Sequence, residues 1–381
     1  MNTAMTPLIN LLNEIDPHKG VKEIVEELIR GDFNKFPISE WERLTTEDFF
    51  RIVRKLSSTH SSLSLSFSMH LYTVWGLCYA FSGEKREWLK EVVGKDYLFS
   101  SLNEPGLYFV NPGQVQKEQY PLTVTKVRNG YLLNGIKKYV SLEPFVRYLP
   151  VYCQVEGYSG SNHGIIALIV DKQSEGVQVM KDWDAISMNQ TYSNSIVFND
   201  VFLPEFNLIA DENTVIEQTE ILGYFYRLTI MSVYFGMAEK AIQYITDICK
   251  IKKVPHTNTR LSHFPGVQFS LSEMIIRKEA SEAIILKYCK ELNDYLKKPK
   301  APHNLKTVSL AAKEFVTRSA EEIVHLAMKI EGIESLFPNS MLSELHTDIK
   351  AGRFHPPQMD VLNELIAKEH LGIISYKKRW C

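Results

Sequence analysis

The sequence lacks the short motifs that mark several large classes of enzyme. It contains no Gly-x-Gly-x-x-Gly segment and no Walker-type loop, so it predicts neither a Rossmann dinucleotide site nor a nucleotide-binding P-loop. His-Glu-x-x-His and Cys-x-x-Cys are also missing, and a dedicated zinc site is therefore not expected. The serine-containing stretch 157–161 does not match a nucleophile elbow and is interpreted as an exposed hairpin loop.

Cysteines and long apolar runs are scarce. The five cysteines are odd in number and far apart, which is typical of a reducing compartment, and a cytoplasmic location is expected. The amino terminus has neither the basic region nor the long apolar region of a secretory signal. The most apolar long segment, 221–237, contains Arg227 and is short for a membrane span. It predicts a buried core helix, and no membrane span is expected.

Charge of one sign is not in excess. The chain has 43 lysines and arginines against 45 acidic residues, a formal net charge of -2, and its basic residues are scattered. A nucleic-acid partner is therefore not expected, because such partners need clustered positive charge. A hydrophobic content of 45% and a length of 381 residues predict a globular protein of two or three domains.

Strand signals are concentrated in the middle third of the chain. Residues 164–171 form a short apolar run rich in β-branched side chains, and residues 193–203 alternate apolar and polar positions. Two Asn-Gly pairs, at 129–130 and 134–135, are typical of hairpin turns. These patterns predict an antiparallel β-domain over residues 98–209.

Helical patterns lie on both sides of this region, in residues 1–97 and 210–381. The segment 57–81 is apolar on nearly all sides, as expected for a helix in the middle of a bundle, and Gly236 is a predicted point of close helix packing. Capped helix starts are predicted at 39–42 and 45–48. Residues 210–219 are interpreted as a linker and 254–265 as a loop. The other predicted helices cover residues 20–30, 220–251, 268–296, 305–330 and 358–376.

Three segments of the chain resemble the acyl-CoA dehydrogenase family. Residues 102–106 (Leu-Asn-Glu-Pro-Gly) resemble the family's Thr-Glu-Pro-Gly segment, and residues 134–141 (Asn-Gly-Ile-Lys-Lys-Tyr-Val-Ser) resemble its Asn-Gly-x-Lys-x-Trp-Ile-Thr strand. Residues 188–204 are similar to the strand that closes the family's β-domain. The resemblance covers nearly the whole chain. It implies an α+β fold with an amino-terminal helical domain, a middle antiparallel β-domain and a carboxy-terminal four-helix bundle.

The resemblance also implies a cofactor and a reaction. FAD would lie between the β-domain and the bundle, with its ring against Leu102, Asn103, Tyr139, Val140 and Ser141. Side chains alternate along a strand, so Tyr139 and Ser141 are expected on one side, either as flavin contacts or as a half-buried hairpin pair. The implied reaction is oxidation of the CH–CH group of an acyl-CoA or acyl-carrier thioester in fatty acid metabolism. An electron-transfer flavoprotein is an implied electron acceptor, and a homo-oligomer, dimer or tetramer, is expected.

The sequence departs from the family where the catalytic glutamate is supplied. The two positions that carry this base in the family are occupied by Pro356 and Tyr226, and neither is a carboxylate. His355 lies beside the first position and is a candidate general base. The alternative is a histidine that caps the last helix or is hydrogen-bonded in a loop. Tyr226 is a second candidate, with simple packing as its alternative, because an unperturbed phenol has a pKa of about 10.

Further departures affect the contacts to the FAD diphosphate. The family's Gly-Ser-Asp segment is replaced at 108–110, its Arg-x-x-Phe-Gly segment corresponds to 254–258, and its ADP-binding glycine pair corresponds to 331–334 (Glu-Gly-Ile-Glu). Three functions remain open from the sequence. They are an FAD-dependent dehydrogenase of acyl thioesters, a flavin-dependent monooxygenase or oxidase that needs no α-proton base, and a non-catalytic subunit of a hetero-oligomer.

Overall fold

The computed structural model describes residues 5–16, 18–104, 121–159, 164–299 and 304–373. Several predictions fall on residues outside these ranges. They concern the Pro-Gly end of the segment 102–106, the replacement at 108–110 and part of the loop 157–161. The last helix, predicted to run to 376, is shorter than expected, because it ends at His370.

Six helices precede the first strand. They are α1 (Thr6–Glu14), α2 (Val21–Arg30), α3 (Phe36–Ser39), α4 (Thr46–Thr59), α5 (Ser61–Ala80) and α6 (Gly83–Gly94). The predicted start of α4 is confirmed, because the Thr45 side chain accepts a hydrogen bond from the Asp48 amide. The predicted start at 39–42 is wrong, since Ser39 is the last residue of α3. The predicted helix 57–81 is α5, which begins only after His60 interrupts the helical backbone with an extended conformation. As expected, α5 is buried on nearly all sides.

The middle of the chain forms an eight-stranded sheet. Its strands are β1 (Leu98–Phe99), β2 (Leu122–Val127), β3 (Gly130–Val140), β4 (Val146–Val155), β5 (Ile165–Asp171), β6 (Val177–Val179), β7 (Asn194–Pro204) and β8 (Leu208–Ala210). The order is β6-β7-β3-β2-β4-β5-β8, with β1 beside β4. Most pairs are antiparallel, but β4 runs parallel to β1 and β2. The sheet is therefore mixed. On one side of β2 lies β3, which is antiparallel to it, and on the other side lies β4, which runs in the same direction as β2.

The two Asn-Gly pairs have different structural roles. Asn129-Gly130 forms the predicted hairpin between β2 and β3, with Asn129 at a φ of 66°. The hairpin predicted at Asn134-Gly135 is wrong, because this pair lies inside β3 at a shift of register against β7. Gly135 has a φ of +121°, and a Cβ atom there would lie 2.0 Å from the carbonyl oxygen of Pro121. Glycine is needed at this position for close backbone approach rather than for a turn.

Five helices follow the sheet. They are α7 (Val215–Ile251), α8 (Pro265–Lys297), α9 (Leu305–Glu331), α10 (Met341–Ile349) and α11 (Met359–His370). The linker is shorter than predicted because α7 begins at Val215, and α10 was not predicted. The loop before α8 contains one 3-10 turn.

One hydrophobic core continues from the first helices through the sheet to α10. Close packing at Gly236 is confirmed, since a Cβ atom there would lie 2.4 Å from the Arg54 carbonyl oxygen of α4. This contact brings α7 against the amino-terminal helices and leaves its tyrosines facing the loop between α10 and α11. None of the described helices combines the length and the apolar character that crossing a membrane requires.

Candidate functional site

His355 lies in the loop between α10 and α11 and is held by two tyrosines of α7. The hydroxyl of Tyr234 is 2.9 Å from His355 Nε2, and the hydroxyl of Tyr226 is 3.3 Å from His355 Nδ1. Tyr226 and Tyr234 are eight residues apart, about two helical turns, so they lie on the same face of α7. The structure therefore brings together His355 and Tyr226, which the sequence singled out separately. The structure adds Tyr234 to these two residues, and the spacing of eight residues between Tyr226 and Tyr234 could have indicated it.

The cluster of Tyr226, Tyr234 and His355 carries a neutral imidazole at ordinary pH. Burial, with a smaller effect of the Lys313 charge, lowers the pKa of His355 to about 3. Burial also raises the pKa of Tyr234 well above its usual value. A neutral imidazole has one donor and one acceptor nitrogen, each matched here by a hydroxyl. The cluster can therefore donate and accept hydrogen bonds, but it is a weak base.

Lys313 of α9 holds the backbone at His355 and just after it. Its ammonium group donates hydrogen bonds to the carbonyl oxygens of His355, at 2.8 Å, and of Pro357, at 2.9 Å. Burial lowers the pKa of Lys313 to about 8. Nothing in the sequence motifs indicated this contact, because a lysine in an amphipathic helix is usually assigned to the solvent face.

Asp348 connects the carboxy-terminal helices to the rest of the chain. Its Oδ1 accepts a hydrogen bond from the Met188 amide at 2.6 Å, and its Oδ2 accepts one from the Ser62 hydroxyl at 3.1 Å. Ser62 belongs to α5, and Met188 begins the turn that leads into β7. Burial raises the pKa of Asp348 to about 6. This one carboxylate therefore holds α10, α5 and the β-sheet together beside the cluster.

A group of hydroxyls lies on the β-sheet side of the site. Ser193 Oγ is 2.8 Å from Thr191 Oγ1 and 3.0 Å from Ser141 Oγ. Thr191 in turn donates to the Met188 carbonyl oxygen at 2.7 Å, so the group continues into the turn that Asp348 holds. Ser141 is one of the predicted cofactor-binding residues, and its two hydroxyl neighbours were not predicted to act with it.

Tyr139 and Ser141 are not related by regular strand alternation. The pairing of β3 with β7 shifts register between Lys137 and Val140, and Tyr139 has a φ of 59°. Its side chain is 61% exposed and contacts Trp183 edge to face, while the side chain of Val140 is buried. Because of this bulge in β3, strand alternation no longer predicts that Tyr139 and Ser141 lie on the same side. The side chain of Tyr139 faces solvent instead. The assignment of these residues to a cofactor stays a prediction.

The remaining predicted residues, Leu102 and Asn103, lie close to the same cluster through Tyr72. The Leu102 side chain is buried, and the Asn103 amide donates to Ser101 Oγ at 3.1 Å. Ser101 is hydrogen-bonded to the hydroxyl of Tyr72. The ring of Tyr72 packs edge to face on Tyr226, with the two centroids 5.7 Å apart. The first predicted segment and the His355 loop are thus linked by two aromatic rings.

Metal chemistry has no evident ligand set in the part of the chain that the structure describes. Within those residues, no group of three or more His, Cys, Asp or Glu side chains is placed to hold an ion.

The raised pKa of Asp348 predicts how stability depends on pH. An unfolded aspartate has a pKa of about 3.9, so the folded protein binds the proton more tightly. The stabilising effect of that proton is complete below about pH 4 and is lost as the pH rises through 6. Asp348→Asn removes this titration and keeps an acceptor for the Met188 amide. Relative to this variant, the natural protein should lose on the order of 2 kcal/mol of unfolding free energy between pH 4 and 7.

The measurement is urea denaturation of both proteins at several pH values across that range. Asp184→Asn is a suitable control, because Asp184 is an exposed aspartate of the same sheet region and takes no part in the hydrogen bonds described for Asp348. A difference between the natural protein and Asp348→Asn that stays constant with pH would contradict the assignment.

Comparisons with known proteins agree with this architecture. The family model for the acyl-CoA dehydrogenase C-terminal domain matches residues 223–371. Putative acyl-CoA dehydrogenase YdbM of Bacillus subtilis is 23% identical over 334 residues, which cover 86% of this chain and 82% of that protein. Caffeyl-CoA reductase-Etf complex subunit CarC of Acetobacterium woodii is 25% identical over 249 residues, covering 65% of this chain and 61% of that subunit.

Solved structures share the fold over almost the whole length. Dibenzothiophene monooxygenase TdsC of Paenibacillus sp. A11-2, solved with FMN and indole, superimposes with a TM-score of 0.83. The alignment covers 99% of each chain at 17% sequence identity. The match to the carboxy-terminal helices, the named relatives and the shared fold agree: residues 223–371 belong to the acyl-CoA dehydrogenase C-terminal domain family, and the rest of the chain is similar to proteins with that name.

Proposed function

We propose that this protein is a flavin-dependent monooxygenase or oxidase built on the acyl-CoA dehydrogenase fold. The observation that supports this most directly is the neutral His355 between the hydroxyls of Tyr226 and Tyr234. Dehydrogenation of a thioester requires a base that takes up the α-proton, and a group with a pKa of about 3 is poorly suited to that task. A reaction in which oxygen is the electron acceptor has no such requirement.

The residues near the cluster fit the ring of a flavin. Such a ring needs a flat surface and hydrogen-bonding groups along its polar edge. Tyr139 offers exposed aromatic surface beside the half-buried Trp183, and the hydroxyls of Ser141, Ser193 and Thr191 offer donors and acceptors. A bound reduced flavin would supply the two electrons with which one oxygen atom of O2 enters the substrate and the other leaves as water.

The sequence resemblance implies FAD, but the residues on the diphosphate side favour the smaller FMN. Glu331 and Glu334 stand where the family's glycine pair receives the ADP part. The Glu331 carboxylate accepts a hydrogen bond from the Tyr244 hydroxyl at 2.6 Å, and that of Glu334 pairs with Lys252 at 2.5 Å. Two carboxylates beside a diphosphate would repel it, so a flavin with a single phosphate is the better match.

Within the site, the protein contributes hydrogen bonds rather than a stable charge. A tyrosine hydroxyl can both donate and accept, so Tyr234 can bond a further group beside its bond to His355. A substrate oxygen that contacts this hydroxyl would be oriented through a chain that ends on the imidazole. His355 would then accept a proton at one ring nitrogen while it donates the proton of the other nitrogen, and the ring would stay uncharged. This arrangement orients an oxygen atom and keeps the site electrically neutral.

Flavin uptake and oxygen dependence test the proposal. The purified protein should take up flavin, with FMN bound more tightly than FAD, and should show a visible flavin absorption band. Without oxygen, a saturated thioester such as butyryl-CoA or octanoyl-CoA should leave that band unchanged. After chemical reduction and admission of oxygen gas, a probe such as indole should gain one oxygen atom, measured by mass spectrometry with isotope-labelled oxygen.

The opposite results separate the alternatives. Bleaching of the flavin by a thioester without oxygen would contradict the monooxygenase proposal and support an acyl-thioester dehydrogenase. A protein that takes up neither flavin would contradict both and support a non-catalytic subunit of a hetero-oligomer.

Substitution of His355 tests the role of the cluster. His355→Ala is expected to slow the reoxidation of the bound reduced flavin in the presence of substrate by about 10- to 100-fold. The reason is that hydrogen bonds worth about 1.5–3 kcal/mol are lost. His263→Ala is the control, since His263 is exposed in the turn before α8 and lies outside the cluster. Equal rates in His355→Ala and the natural protein would show that His355 takes no part.

A dehydrogenase of acyl thioesters, with FAD and an electron-transfer flavoprotein, is the second candidate. It is favoured by two relatives, one named as a putative acyl-CoA dehydrogenase and the other as a subunit of a reductase–Etf complex. In this case His355 would have to gain basicity when substrate replaces one of its tyrosine partners. The thioester experiment above decides between the two candidates.

We also propose that the protein is a homo-oligomer, a dimer or tetramer. Apolar side chains are exposed after α9, at Ile333, Leu336 and Phe337. Ile333 and Leu336 line an open groove of about 570 Å³ together with residues of α9 and α10. Exposed apolar surface of this kind is typical of interfaces between copies. A monomer in sedimentation equilibrium at micromolar concentration would contradict this proposal.

A further inference from the structure

Lys313 is a fully buried cation in the middle of α9. Its exposure is 0%, and its neighbours Ala312, Val316 and Thr317 are buried as well. Among the residues that the structure describes, Lys313 makes no ion pair, and its ammonium group is bound by two backbone carbonyl oxygens. Removing an ammonium group from water costs several kcal/mol unless strong partners replace the solvent. A leucine or methionine would serve helix packing better, so the lysine needs another explanation.

The two carbonyl groups show where the effect of Lys313 is directed. They belong to His355 itself and to Pro357, and therefore lie on the backbone directly after the residue that carries the imidazole. From α7, Tyr226 and Tyr234 hold the ring nitrogens of the same histidine. Backbone and ring of His355 are thus held by two different helices. A change in the Lys313 contact would alter the geometry of the ring without touching it.

The charge of Lys313 acts on the same histidine. A cation near an imidazole disfavours protonation of the ring, and the pKa of His355 is lowered by burial and then by Lys313. Two other cations, Arg227 of α7 and Arg353 of the loop, lie near Lys313, with Glu314 as the neighbouring acid. Asp348 faces Tyr234 from α10. Of these charged groups, Lys313 is the one that acts on His355, in the same direction as burial.

We propose that Lys313 is a positioning residue of the site, which holds the His355–Pro357 backbone so that the imidazole lies between Tyr226 and Tyr234, and whose positive charge adds to the effect of burial in disfavouring protonation of that imidazole. This inference deepens the proposed function and rests on it only in treating His355 as a residue of the site. The geometry and the charge state of the ring can be measured without flavin, substrate or turnover. The result is therefore independent of whether the protein is a monooxygenase.

The test follows the histidine rings by NMR in the full-length protein labelled with ¹⁵N-histidine. The His355 signals are assigned by their loss in His355→Gln. In the natural protein these signals should remain those of a neutral ring at every pH at which the protein is folded. In Lys313→Met the ring should bind a proton at a higher pH than in the natural protein, within the range in which the variant is folded, because the neighbouring positive charge has been removed. In Lys313→Arg the charge is kept and the ring should stay neutral.

Two controls separate this effect from a general loss of structure. Lys85 of α6 also donates to a backbone carbonyl group, that of Leu208, so Lys85→Met is a matched substitution away from the site. It should leave the His355 signals unchanged. His70 is an internal reference, because its Nε2 contacts the Asn34 carbonyl oxygen at 2.9 Å and its Nδ1 accepts from the Phe99 amide at 3.0 Å. The His70 signals should stay the same in every Lys313 variant.

The outcome that overturns the proposal is a folded Lys313→Met protein whose His355 signals and titration match those of the natural protein. If Lys313→Met does not fold, Lys313→Gln provides the same comparison, since its amide is neutral but can still donate to a carbonyl oxygen. An unchanged His355 titration in folded Lys313→Gln would reject the role of the charge. A raised midpoint together with unchanged His70 signals would support it.

Discussion

The buried carboxylate of Asp348 is the interaction on which the geometry of the site depends. It accepts hydrogen bonds from Ser62 in the amino-terminal helices and from Met188 in the sheet region, and it belongs itself to α10. The loop that contains His355 begins a few residues after Asp348. The cluster of hydroxyl side chains, which includes Thr191 and Ser193, begins three residues after Met188. The His355 loop and the hydroxyls of Thr191 and Ser193 are therefore both positioned relative to Asp348. The distance between them is set by the two hydrogen bonds of Asp348 rather than by the length of a loop.

Neutrality is the second constraint on the site. By the sequence resemblance, the two positions expected to carry a glutamate hold Tyr226 and Pro356 here, so neither supplies an acid. A buried imidazole would be costly to charge, and the charge of Lys313 acts in the same direction as burial.

Some parts of the fold follow from local sequence, and others do not. The Thr45 cap, the strand at 164–171 and the hairpin at Asn129-Gly130 were predictable because each depends on neighbouring residues. The second Asn-Gly pair looks the same in sequence, but Gly135 lies against the Pro121 carbonyl oxygen inside a strand. The alternation expected for Tyr139 and Ser141 fails for a similar reason, because pairing with β7 introduces a bulge.

The sequence by itself determined that a β-region lies between two helical regions and that several motif-based sites are not expected, because these conclusions depend on spacing over a few residues or on short motifs. The candidates His355 and Tyr226 came from the resemblance to the acyl-CoA dehydrogenase family. Only the tertiary structure decided the charge state of His355, because its partners Tyr226, Tyr234 and Lys313 are 129, 121 and 42 residues away along the chain. Burial and the field of a distant lysine are properties of the packed molecule, and no local pattern encodes them.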